Sequence, residues 1–163
     1  MLSSLIILLI FSPPPSERIN SAVKEENPLQ GYWKLTAIDL GGLGKQPSGD
    51  QGKWLIRGDR VHLLDAKGQV DKAQHVKIRL DRSKRPPVLE LIWSQKKKKT
   101  QTYRAIYKIV GRNLTLAVAF SKFPLWGGGE PEPAPNPPKD FTGKIDNKAQ
   151  GLVIVAYFER AKP

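Results

Sequence analysis

The sequence predicts an all-β chain, an eight-stranded antiparallel meander closed into a barrel or folded as a β-sandwich. Three observations carry that expectation. Beyond Asn27-Pro28, apolar and polar residues alternate over runs of strand length. Gly, Pro, Asp and Asn bound those runs, as they do between strands. No stretch holds a helical repeat with capping residues at its ends. Closure also has a physical motive, because a closed sheet leaves no unpaired edge for another chain to pair with.

Residues Leu29 to Leu40 open the series, with Trp33, Leu35 and Ala37 on one face and Tyr32, Lys34 and Thr36 on the other. Lys53 to Arg57 carries Trp54 and Ile56 on alternate positions, and Gly58-Asp59 then reads as a hairpin turn into Arg60 to Asp65. In the fourth run Val76, Ile78 and Leu80 alternate with Lys77, Arg79 and Asp81, the pattern of a half-buried strand with one wet face. Pro86-Pro87 breaks the chain before Val88 to Trp93, where Leu89, Leu91 and Trp93 share a face. The Lys96 to Lys99 run is too charged for an interior and reads as a solvated loop.

Beyond it, Gln101 to Val110 sets Tyr103, Ala105, Tyr107 and Ile109 on one side. Gly111-Arg112-Asn113 turns the chain into Asn113 to Phe120, with Leu114, Leu116, Val118 and Phe120 in phase. The last run, Leu152 to Arg160, is apolar on both faces until Glu159, which predicts a strand covered on both sides. One connection, between Phe120 and Leu152, is too long for a hairpin. The alternate prolines of Gly127 to Pro138 favour extended, solvated backbone, so the Pro/Gly-rich loop 124–139 is expected at the surface and not as a linker to a second domain.

At 163 residues, 39% of them hydrophobic, the chain suffices for one domain with a real core. Having no cysteine, it has no disulfide scaffold, thiolate metal site or thiol nucleophile. The apolar run Leu5 to Phe11 is far shorter than the roughly 20 residues of a membrane-spanning helix, but suits the core of an export signal. Residues 1–22 are accordingly read as a signal peptide cleaved near Ala22, 23–28 as a short linker and 29–161 as the domain, exported to the periplasm or the extracellular space. A competing reading makes the apolar run a buried or frayed N-terminal segment.

The ordered set Leu29-Gln30-Gly31-Tyr32-Trp33, Trp54 to Val61, Leu80 to Pro87, Tyr103 to Tyr107, Gly111 to Leu116, Pro138 to Phe141 and Phe158-Glu159-Arg160 resembles a family of small exported bacterial domains abundant in planctomycetes. That family has no assigned activity, and this chain departs from it in the Pro/Gly/Glu insertion after Phe123. A remoter resemblance is to lipocalins, whose G-x-W is matched by Gly31-Tyr32-Trp33 and whose arginine on the last strand is matched by Arg160. The resemblance implies a lipocalin-like barrel whose first and last strands are neighbours, so that Arg160 would lie over Trp33 and close one end.

Catalytic patterns are sparse. His62 and His75 fall on separate strands, no serine stands in a G-x-S-x-G elbow, and Asp65, Gly68 and Asp71 are not at calcium-loop spacing. Gly41-Gly42-Leu43-Gly44-Lys45 imitates a phosphate loop but lacks the following Ser or Thr and the helix, so it reads as a flexible turn. Glu90 and Glu159, two carboxylates on predicted strands, look outward or terminal. The expectation is a protein that is not an enzyme, uses no cofactor or metal and works as a monomer.

Two binding functions remain. A barrel of about eight strands either fills itself with side chains or holds one small ligand, and Trp54, Trp93, Tyr103, Tyr107 and Phe120 are the candidates to enclose an apolar molecule. Alternatively, the formal net charge of +12 points to anionic partners. Arg79, Arg82, Lys84 and Arg85 form one basic cluster and Lys96, Lys97, Lys98 and Lys99 another, suited to anionic envelope polymers or lipid headgroups. Stacking aromatics interleaved with these runs are missing apart from Trp93, so specific nucleic-acid binding is not expected.

Overall fold

The computed structural model describes residues 27–48, 53–65, 67–70, 74–95, 99–123, 130–146 and 151–162. Residues 1–22, which the sequence leads one to expect as a signal peptide, Lys96 to Lys98 and the side chain of His75 lie outside the described residues.

Alternation builds eight long or medium strands where it predicts them: β1 (Gly31–Leu40), β3 (Lys53–Arg57), β4 (Arg60–Leu64), β5 (Gln74–Asp81), β6 (Val88–Gln95), β7 (Gln101–Val110), β8 (Asn113–Lys122) and β11 (Gly151–Arg160). Each pairs antiparallel with the next in chain order, and β11 pairs with both β8 and β1. That double pairing closes the sheet. The fold is therefore a closed eight-stranded antiparallel barrel in meander order, not a sandwich.

Three short strands were not expected. β2 (Lys45–Pro47) pairs with β1, β9 (Glu132–Pro133) with β8, and β10 (Lys144–Asp146) with β11. They come from segments that sequence alone reads as turn or loop, since two or three residues carry no periodicity. Pro133 is tolerated because it stands on an edge, where its missing N–H interrupts no ladder.

Inside the barrel, Trp33, Ile56, Val61, Val76, Ile78, Leu89, Leu91, Ala105, Tyr107, Leu114, Leu116 and Phe158 form one continuous core. A second, smaller cluster lies on the outside. There Ile106, Ala117 and Val155 are at most 1% exposed, and Phe141 packs over them. Both faces of β11 are thus buried, as its sequence predicts.

One expectation about β1 is corrected. The ladder with β11 pairs Leu35 with Phe158 but Ala37 with Tyr157, so Thr36 is an extra residue in a β-bulge. Ala37 moves to the outer face opposite Tyr157, away from the interior shared by Trp33 and Leu35. The groups freed by the bulge find partners: Thr36 Oγ1 donates to the Tyr157 carbonyl at 3.0 Å, Ser48 N to the Thr36 carbonyl at 3.1 Å and Ser48 Oγ to the Leu35 carbonyl at 2.8 Å.

The glycines of the phosphate-loop look-alike also find their reason here. A Cβ on Gly41 would stand 2.2 Å from Ile145 Cγ1, and one on Gly42 would stand 2.6 Å from the Gly143 carbonyl oxygen. Both have positive φ. The turn is pressed against the strap leading into β10, so close backbone approach and not flexibility selects glycine.

Candidate functional site

The two ends of the barrel differ. At the first, Leu29 is fully buried, and its carbonyl accepts a 2.7 Å hydrogen bond from Nε1 of the equally buried Trp33. Gln30 reaches to the β3–β4 turn, accepting from Gly58 N at 2.7 Å and donating to the Gly58 carbonyl at 2.9 Å. The Arg57-Gly58-Asp59 tripeptide is therefore a clamped hairpin turn. Arg160 stands opposite Trp33 in the β1–β11 ladder, with its guanidinium 4.5 Å from the indole centroid. Its Nη1 donates to the Gln30 carbonyl at 2.9 Å and its Nη2 to the Pro28 carbonyl at 3.0 Å. Gly31 has φ +110°, and a Cβ there would lie 3.2 Å from Arg160 Nη1. The run Leu29-Gln30-Gly31-Tyr32-Trp33 thus supplies a plug, a clamp and a clear path for the arginine.

At the opposite end the described residues leave an apolar hollow. There β6, β7 and β8 border a cavity of about 420 Å³. Leu91, Trp93, Tyr103, Val118 and Phe120 wall it from the sheet, Phe123 from the position just after β8, and Pro131 from the Pro/Gly-rich loop. Tyr103 and Phe120 meet at 5.5 Å between centroids, and Phe120 and Phe123 at 5.1 Å. The polar side chains Lys99, Gln101 and Glu130 complete the lining. Tyr103 donates its hydroxyl proton to Gln101 Oε1, with the Pro131 carbonyl 3.4 Å away. Burial, followed by the nearby Glu130 carboxylate, pushes the Tyr103 phenol above its ordinary pKa. It therefore stays neutral across the physiological range.

The described part of loop 124–139 lies at the surface, but it is tied to the barrel. Through β9 it pairs with Phe120 and Lys122, Ser121 Oγ donates to the Pro133 carbonyl at 3.2 Å, and Arg104 Nη1 donates to the Pro135 carbonyl. Arg104 also holds its cross-strand partner Glu90 at 3.2 Å. Glu90 is thereby engaged on the outer face, away from the cavity, and Glu159 lies 3.9 Å from Arg112 at the plugged end.

Of the five aromatic residues picked out as possible ligand lining, Trp93, Tyr103 and Phe120 border the cavity. Trp54 and Tyr107 do not. Trp54 packs on Phe158 at 4.7 Å between centroids, and Tyr107 is 4% exposed within the core. Both sit deeper, where side chains around Trp33 fill the barrel. Val118 and Leu91 are inward by the same alternation and are legible as such. Phe123, Glu130 and Pro131 lie outside the sheet, and no pattern in the sequence marks them.

The basic candidates separate. Arg79, Lys84 and Arg85 are exposed and Arg82 half-buried, on β5 and the β5–β6 hairpin toward the plugged end. Arg85 Nη1 folds back on the Arg82 carbonyl at 2.8 Å and the Lys84 carbonyl at 3.0 Å. Lys99 stands at the other end, on the cavity. His62 lies half-buried on β4, and no group of three or more His, Asp or Glu gathers as metal ligands among the described residues.

Fold and site together define a closed antiparallel β-barrel with Trp33 beneath Arg160 at one end and an apolar cup at the other. Comparison of the chain with protein-family models, curated proteins and solved structures found no match.

Proposed function

We propose that the protein is a non-catalytic, lipocalin-like binding module, exported from the cytoplasm, that holds a small apolar molecule in the cup between β6, β7 and β8. The observation that carries the reading is the 420 Å³ cavity with aromatic and aliphatic walls, a volume within the roughly 300–1,000 Å³ range of small-molecule sites. Side chains fill the other end, so a ligand enters at the cup. The polar groups at the cup suit orientation more than proton transfer, since Tyr103 is held neutral and bonded to Gln101. Support for the lipocalin-like reading comes from Gly31, Trp33 and Arg160, which meet as a barrel-closing motif requires. Support for export rests on the apolar Leu5 to Phe11 run.

The neutral fluorophore N-phenyl-1-naphthylamine tests the cup. Saturable binding to a single site with a blue-shifted emission is expected, and Val118→Trp, which places an indole in the cavity, should weaken it about tenfold or more while the far-ultraviolet spectrum stays that of the parent. Binding that does not saturate, or that survives Val118→Trp unchanged, would sink the reading.

A further inference from the structure

The strand register places three cations in line on the outer face of the barrel. In the β3–β4 ladder Arg57 stands directly opposite Arg60, and in the β4–β5 ladder Arg60 stands directly opposite Lys77. Arg79 follows two residues along β5. All four are exposed, and they alternate with the buried Ile56, Val61, Val76 and Ile78, so they point outward. None makes an ion pair with a described carboxylate. Asp59 lies in the turn beside them, Asp81 accepts from Ser83 N at 3.0 Å, and Glu90, the cross-strand neighbour of Arg79, is held by Arg104.

Like charges directly opposite on neighbouring strands destabilise a sheet. A row of this kind works against the fold unless a partner neutralises it. Strands are about 4.8 Å apart, so the row spans about 10 Å across the sheet. On the convex outside of a barrel the side chains splay, which disfavours convergence on one small anion. An extended partner can follow the curve. Among the described residues the exposed Leu40, Leu43 and Val110 lie off this face, and Val70, bridged to Leu64 four residues along β4 from Arg60, is one valine and not the broad apolar face with which a membrane-bound surface anchors.

We propose that Arg57, Arg60, Lys77 and Arg79 form a docking surface for a linear polyanion, a polymer bearing phosphate or carboxylate groups, laid across β3, β4 and β5. The surface is separate from the cup, so either assignment can fail without the other. The probe is labelled inorganic polyphosphate, titrated against the full chain by fluorescence anisotropy between about 50 and 200 mM salt. Binding should weaken steeply with salt. The triple variant Arg57→Gln, Arg60→Gln, Lys77→Gln should lose about tenfold or more in affinity and about 2 in the slope of log affinity against log salt. Lys77→Gln alone should show an intermediate loss.

A matched triple variant, Lys67→Gln, Lys139→Gln, Lys162→Gln, removes the same charge from exposed positions elsewhere and should bind nearly as the parent does. Equal losses in the two triples would overturn the proposal by showing that net charge alone is read. So would preferential binding to phosphatidylglycerol vesicles over polyphosphate. The melting temperature of the first triple should equal or exceed that of the parent, and a clear decrease would show that the row supports the barrel instead.

Discussion

Arg160 shows how much one side chain can join. It lies over the Trp33 indole and donates to two carbonyls, those of Pro28 and Gln30, which tie the entering chain to the last strand. Hydrogen bonds from a charged donor and a partly desolvated cation–π contact together make Arg160→Ala cost about 2–3 kcal/mol. Urea unfolding measures this, and a change below about 0.5 kcal/mol would contradict it. Arg160→Lys should recover less than half the loss, because an ammonium cannot span both carbonyls as the planar guanidinium does. The pair was expected from the resemblance to lipocalins, which places an arginine of the last strand over the tryptophan of the first, and the β1–β11 register brings Arg160 opposite Trp33. The clamp of Gln30 on Gly58 was not legible in the sequence, because it depends on a turn 28 residues further along the chain.

At the scale of elements, β1 departs from the alternation that predicts it. A strict period of two would put Ala37 inside, yet the bulge at Thr36 turns it out against Tyr157. The extra residue is held by Ser48, 9% exposed, whose hydroxyl donates to the Leu35 carbonyl. Ser48→Ala should therefore cost about 1 kcal/mol in a chemical denaturation curve, with an unchanged slope. No loss at all would mean that the bulge holds itself. Ser48 carries no signal in the sequence, because its partner belongs to a strand whose bend is itself a product of pairing. The loop beyond β8 teaches the same point: its alternate prolines predict extended surface chain, but only pairing through Glu132 and Pro133 makes it a wall of the cup.

The whole molecule rests on closure, without a disulfide to assist it. β11 is where closure happens, for it lies between β8 and β1 and is buried on both faces. Removing residues 151–163 should accordingly unfold the entire barrel and not merely shorten the sheet, leaving a nuclear magnetic resonance spectrum without dispersed amide signals. A dispersed spectrum from the truncated chain would count against closure as the source of cooperativity. The eight strands and most inward faces were determined by the sequence alone, because side-chain alternation follows from the local geometry of extended backbone. Tertiary structure alone decided the rest. Which end fills and which keeps a hollow depends on where Trp33, Trp54 and Tyr107 crowd together, and the line of Arg57, Arg60 and Lys77 exists only once three strands are in register. Register is a relation between distant segments, and periodicity within one segment cannot contain it.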